Sequence, residues 1–317
     1  MSLPLHGGHA PPYLIRRVIT LSHAISKVII DEYGQQEFLR RLSDPLWFQA
    51  FGCVLGIDWH SSGLTTVVTG VLNQALKEDV HGISIAGGKG KKSTTTKNEI
   101  PKLAEKNYNL SSSKINDLLY ASRMAAKVDN AAVQDGYSLY HHVILFDQNG
   151  DWTIIQQGMN TINRMARRYH WISDNCKSFV LEPHSGIISE RESSNILNMT
   201  SMNSTDNHRI SVDLVTGNTD NLKSSVFKVT SVLASMHEDT LDRWSISENS
   251  ISLHKHMCDN MVEQYQMPRK LDWNLFNRIY DIRPQNYEQL ISISGVGPAT
   301  VRALSLIGEL IYGTRAS

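Results

Sequence analysis

YSLYHHVILFDQNGDWTIIQQG, residues 137–158, is the stretch that decides the fold class. Ser138–Phe146 and Trp152–Gln157 are runs rich in β-branched and aromatic residues, and DQNGD lies between them. Asn149–Gly150 is a strong hairpin signal, because both residues accept the positive φ that a tight turn between twisted strands requires. Side chains alternate along a strand, so Tyr137, Leu139 and His141 share one face and Ser138, Tyr140 and His142 the other. On the returning strand Thr153, Ile155 and Gln157 alternate with Trp152, Ile154 and Gln156. The reading is an antiparallel hairpin with polar groups on its faces.

Working outward, most of the remaining chain has helical spacing. After a Gly/Pro-rich opening (1–12), Leu14, Val18, Leu21, Ile25, Val28 and Ile29 predict a helix that Gly34 terminates. A second helix is expected over Glu37–Leu42, and Asp44–Pro45 caps a third carrying Leu46, Trp47, Phe48 and Phe51. A loop and a helix to Leu76 follow. Ile83–Ala86 reads as a short strand running into a Gly/Lys-rich loop, and Ser111–Lys127 as a helix. Asn160–Tyr169 is expected to be helical and Ser178–Glu182 a strand. Residues 193–225 are Ser/Asn/Thr-rich with weak periodicity, which predicts a flexible insert or linker, and the chain beyond them is mostly helical. The expected class is α+β, predominantly helical with a small antiparallel sheet. The expected division is a mixed core (1–192), a polar linker (193–225) and a helical domain (226–317).

The 317 residues carry 31 basic and 31 acidic side chains, for a formal net charge of +0. No global field draws such a chain to a polyanion, so any nucleic-acid surface has to be a local patch. Cys53, Cys176 and Cys258 are scattered, which argues against a disulfide scaffold and for a reducing cytoplasm. No signal pattern or membrane span is apparent, so a soluble, cytoplasmic chain without a membrane partner is expected.

At the C-terminal end, LISISGVGPATVRALSLIGELIY (290–312) has apolar residues and glycines at keyed positions: Leu290, Ile293, Gly295, Val296, Gly297 and Val301. It resembles the helix-hairpin-helix motif of DNA repair and recombination proteins, placed here at 286–312. The resemblance implies that Gly295, Val296, Gly297 and Ala299 meet a DNA backbone. Glycines permit the tight turn, and the N–H groups at the following helix start suit a phosphate. Such a contact does not read sequence. The bland alternative is a helical hairpin that only packs. AGGKGKKSTTTK (86–97) is the strongest basic patch, with Lys89, Lys91 and Lys92 as candidate polyanion contacts. It does not satisfy the G-x-x-x-x-G-K-[ST] pattern of nucleotide hydrolases. A mobile, solvated loop is its ordinary reading.

The block 129–171 is the densest polar cluster. Asp129, Asp135, His141, His142 and Gln157 are the candidates for proton-transfer chemistry. Arg167 and Arg168, expected on the next helix with Tyr169, His170 and Trp171, are candidates for holding nucleic acid. A metal-dependent nuclease core needs a lysine where this chain reads QQGM, and a carboxylate-poor site holds Mg²⁺ weakly. A glycosylase related to helix-hairpin-helix enzymes needs an aspartate about a helix beyond the hairpin, and none follows. HKHMC (254–258) lacks a fourth ligand for zinc, so no metal and no cofactor is assigned.

Five stretches together resemble an archaeal and bacterial family, domain of unknown function 763. They are LPLHGGHAPPYLIRR (3–17), DPLWFQAFGCVLGIDWHSSGLTTVVTG (44–70), AGGKGK (86–91), VDNAAVQDGYSLYHH (128–142) and QQGMNTINRMARRYHW (156–171). The resemblance implies descent without lending an activity. It also implies a continuation past the hairpin, through a Gly-rich segment into a Pro-Val-Asp stretch. The leading expectation is a DNA-binding protein of repair or processing. A DNA nuclease or glycosylase using block 129–171, and a non-enzymatic protein-binding adaptor, are the alternatives.

Overall fold

Asp147 closes the central hairpin. Its Oδ1 accepts from the backbone N–H groups of Asn149 (2.8 Å) and Asp151 (3.0 Å), while Gly150 takes φ +85°. The strands it joins are β3 (Ser138–Asp147) and β4 (Trp152–Asn160). They are the middle of a five-stranded antiparallel sheet of order β1-β3-β4-β5-β6, with β1 Ile83–Lys89, β5 Met165–Ile172 and β6 Gly186–Ile188. The computed structural model describes residues 3–5, 12–188, 196–242 and 266–317. The chain divides into two compact units. The first comprises Met1–Ala126, Gly136–Phe179 and Pro183–Glu192, the second Lys127–Asp135, Val180–Glu182 and Ser193–Ser317.

In the first unit, α1 (Pro12–Ser43), α2 (Pro45–Val54) and α3 (Gly63–Ala75) cover one sheet face. Phe38, Leu42, Phe48, Leu64 and Leu72 pack there against Ile85, Val143, Leu145 and Ile155. α1 breaks at Gly34 (φ 86°, ψ 169°), where the sequence predicts a helix end. Asp44 caps α2 by accepting from Leu46 and Trp47 N–H. The short α4 (Glu78–His81) leads into β1. On the opposite face lie α5 (Thr96–Tyr108) and the first-unit part of α6 (Ser112–Ala131). Tyr108 meets Phe146 edge-on and Ser122 bonds His142 there. The run Val143–Phe146 is buried throughout because both faces are covered, so this part of the strand reads as continuously apolar.

Several elements differ from the sequence reading, two of them between residues 160 and 182. Met165–Ile172 is a strand, and Asn160–Tyr169 is not a helix. Its arginines and histidine alternate onto two buried faces, and a buried polar residue carries no hydrophobic signal. Residues 178–182 form bends rather than a strand.

The second unit holds a short ribbon, β2 (Val133–Gln134) with β7 (Leu197–Asn198). Its helices are α7 (Thr205–Thr216), α8 (Thr219–Asp242), α9 (Trp273–Ile282), α10 (Tyr287–Ser292) and α11 (Pro298–Tyr312). α7 and the start of α8 occupy a stretch that the sequence predicts to be flexible. The reason is chemical: α7 buries polar residues. Asn207 Nδ2 donates to Ser305 O of α11 (3.0 Å), and the His208 ring stacks on Tyr287 at 3.8 Å. α11 is the core helix of this unit, with Val301, Leu304, Leu306 and Ile307 buried. No helix among the described residues is long and apolar enough to cross a membrane.

Candidate functional site

The turn between α10 and α11 is built from its caps outward. Asn286 accepts from Gln289 N–H (2.9 Å), and Gln289 Oε1 reaches back to Gln285 N–H (2.7 Å). This reciprocal arrangement fixes where α10 begins. α10 ends at Ser292, and Ile293–Gly297 reverses the chain with Val296 N–H on Ile293 O (3.2 Å). Gly295 has φ +94°, and a Cβ there would lie 3.0 Å from Arg278 Nη2 and 3.1 Å from Leu275 Cδ1. Gly297 is different. Its backbone is extended (φ −140°, ψ −169°), and an added Cβ would find nothing nearer than Gly295 O at 3.8 Å. Nothing within the protein demands a glycine at 297.

Pro298 opens α11, whose first helical bond runs from Val301 N–H to Gly297 O (3.1 Å). The N–H groups of Ala299 and Thr300 precede that bond and lie at the positive end of the helix dipole. Leu290, Ile293, Val296 and Val301 are buried, whereas Ser294, Gly295, Pro298 and Ala299 are exposed. Val296 therefore anchors the turn rather than presenting itself.

The carbonyl side of the turn is held by cations. Lys127 Nζ donates to Ile293 O and Arg278 to Ser294 O. Gln134 Nε2 donates to Pro298 O (2.9 Å), and its Oε1 accepts from Arg302 Nε (2.8 Å). None of these residues is among the site candidates that the sequence suggests. Lys127 and Gln134 lie more than 160 positions from the turn atoms they hold, a distance at which spacing carries no signal. Asp129 and Asp135 also belong to this second unit, Asp129 fully buried and Asp135 half-buried.

The other predicted residues fall in the first unit. His141, Gln157 and Arg168 stand side by side across β3, β4 and β5, facing α2 and α3. Gln157 Nε2 donates to Ser62 O (2.9 Å) and to the Tyr140 hydroxyl, while its Oε1 accepts from Thr65. Tyr140 reaches it because the register shifts between Leu139 and His141, a bulge that re-aims one side chain. Arg168 donates to His170 Nε2 (2.8 Å), Thr65 Oγ1 (3.2 Å), Gln49 Oε1 (2.8 Å) and Pro45 O (3.3 Å). Its guanidinium lies 4.6 Å from the Phe48 ring centre, and burial lowers its pKa to about 9. These bonds point inward, and no nucleic acid could reach the group without unpacking α2.

The histidines are neutral for reasons visible in their bonds. Thr69 gives its hydroxyl proton to Thr65 O, so His141 Nε2 donates to Thr69 Oγ1 (3.0 Å) and its buried Nδ1 has no partner. His142 Nδ1 donates to Gln156 Oε1 (2.8 Å), which leaves Nε2 to accept from Ser122 (2.8 Å). His170 Nδ1 donates to Leu42 O (3.0 Å), and its Nε2 faces Arg168. Burial pushes His141 down to about 3 and His142 to about 4, and holds His170 well below the usual histidine range. Gln157 and His142, read from sequence as catalytic, thus have their polar atoms engaged in packing bonds. Arg167, on the opposite sheet face from Arg168, is buried with its guanidinium 4.6 Å from the Tyr137 ring centre.

The lysine stretch has regular secondary structure where the sequence suggests a loop. β1 runs on to Lys89, and Gly90–Thr94 is a 3₁₀ turn. Gly87 has φ +97°, donates its N–H to Glu99 Oε2 (2.7 Å), and lies so near His142 O that a Cβ would sit 2.3 Å from it. Lys89, Lys91 and Lys92 are exposed on this scaffold, with Lys89 Nζ 6.0 Å from the Tyr140 ring centre. Among the described residues no cluster of three His, Cys, Asp or Glu could hold a metal ion. His254, His256 and Cys258 lie outside the described residues.

No curated protein and no solved structure matches this chain. One family model does, and it matches residues 1–317: the chain belongs to the family described as Protein of unknown function (DUF763).

Proposed function

We propose that this chain is a DNA-binding protein of DNA repair or processing, and that the Ile293–Gly297 turn with the start of α11 grips the duplex backbone as a helix-hairpin-helix. The observation that carries the reading is Gly297. Its conformation suits any residue and its missing side chain leaves no gap to fill. A bare Cα beside the first N–H groups of α11 is what close approach of a phosphate requires. Cations on the turn carbonyls support it, because Lys127 and Arg278 cancel the negative side of the turn and leave a positive field around the N–H side. The internal bonding of His142, Gln157 and Arg168 favours binding over catalysis in the first unit.

The test is fluorescence anisotropy with labelled duplexes of unrelated sequence. Gly297→Ala, which adds only the Cβ that the backbone leaves room for, should keep the fold and weaken every duplex by about tenfold or more, on the order of 1.4 kcal/mol per tenfold. Unaltered affinity in that folded variant would make the turn a packing element only.

A further inference from the structure

α1 carries a stripe that its own core does not use. Val18, Ile29 and Ile30 face inward, while Leu14, Leu21 and Val28 are 36%, 43% and 60% exposed. A lone exposed leucine is ordinary. Three large apolar residues at intervals of seven on one helix are not, since they line up along one side of it and supply one of the two apolar rows that a helix-pairing seam uses. Arg17, Ala24 and Asp31 lie along the same exposed side, offset by three residues from each member of the seam.

The charges decide the occupant. The N-terminal end of this helix presents Arg16 and Arg17, and the C-terminal end presents Asp31 and Glu32, all exposed. Lys27 pairs with Asp31 on the same helix and leaves Glu32 unmatched there. A second copy laid parallel would set arginines against arginines. Laid antiparallel, it sets Arg16 and Arg17 of each copy near Asp31 and Glu32 of the other, and Leu14 near Val28. The small Ala24 and Leu21 then fall next to the two-fold axis, where a small residue lets the helices approach. A self-complementary patch of this kind is what an isologous two-fold interface requires.

We propose that two copies of this chain pair antiparallel through the Pro12–Tyr33 part of α1, a contact about 33 Å long at 1.5 Å per residue. The exposed parts of three seam residues from each copy cover less than the roughly 1,200 Å² of stable specific interfaces, so the pairing is a small, transient contact. Association is therefore weak and depends on concentration.

Sedimentation velocity of the full chain over a concentration series tests this. The wild type should shift from monomer to dimer mass, and Leu21→Glu with Val28→Glu should stay monomeric with an unchanged far-UV spectrum. Arg16→Glu/Arg17→Glu and Asp31→Lys/Glu32→Lys should each lose at least about tenfold in self-association. An equimolar mixture of these two variants should recover a dimer, because each then offers both ends of one sign. A wild type that is monomeric at every concentration overturns the proposal. So does a dimer indifferent to Leu21→Glu/Val28→Glu, or a mixture that fails to associate.

Discussion

Lowering the pH should unfold the first unit well above the carboxylate range. His141, His142 and His170 have folded pKa values below the ordinary 6.5, held there chiefly by burial. In the unfolded chain they titrate at about 6.5. Between roughly pH 6.5 and 4 the unfolded state therefore binds protons that the folded state refuses, and stability falls as pH falls. At pH 5 the loss is RT ln(1 + 10^1.5), about 2 kcal/mol for each histidine and about 6 kcal/mol for the three. The slope is close to 4 kcal/mol per pH unit. Domains are commonly stable by about 5–15 kcal/mol in total, so this is a large share. Urea unfolding at pH 7, 6 and 5, followed by emission of the buried Trp152 and Trp171, measures it. His142→Asn, which keeps a donor near Gln156, should remove about 1.4 kcal/mol per pH unit from the slope. A midpoint that does not move between pH 7 and pH 5 would refute the neutral, bonded arrangement of these rings.

Gly87→Ala should lower stability by more than about 2 kcal/mol in urea, since it combines a positive φ with a Cβ driven into the His142 carbonyl. Gly295→Ala should cost about 1–2 kcal/mol for its φ of +94°, whereas Gly297→Ala, at an N-cap with extended backbone, should cost less in the same assay. Replacing Lys89, Lys91 and Lys92 by Gln should reduce the log–log salt slope of duplex binding by up to about 0.9 per lysine. An unchanged slope would place the Gly90–Thr94 turn away from the DNA.

What the sequence discloses here follows from local chemistry. The β3–β4 hairpin was legible because Asn149–Gly150 and alternation are short-range signals, and α2 because Asp44–Pro45 is a cap. That one face of the hairpin could present Gln side chains and a histidine together was legible from alternation, whereas the bulge between Leu139 and His141 that adds Tyr140 was not. β5 was not, because Arg167, Arg168 and His170 are buried while reading as a surface helix. Only the pocket formed by Pro45, Gln49 and Thr65, distant in sequence, makes a buried Arg168 tolerable. α7 escaped for the same reason, since Asn207 and His208 make its contacts through polar atoms and a ring face. Gly295 and Gly297 look alike in sequence. Only the backbone angles separate a glycine needed for folding from one left over for something else.

The Asp147 turn sets an order of events during folding. β3 and β4 are joined by the few residues that Asp147 itself ties together, so the hairpin closes over a very short loop, a microsecond event. Pairing β1 to β3 instead closes a segment containing α5 and α6, and α1 must find β4 and β5 across a still longer stretch. Loop closure across such separations is slow relative to local contacts. The hairpin is thus the natural first structure, and substitutions at Asp147 or Gly150 should slow refolding more than they hasten unfolding.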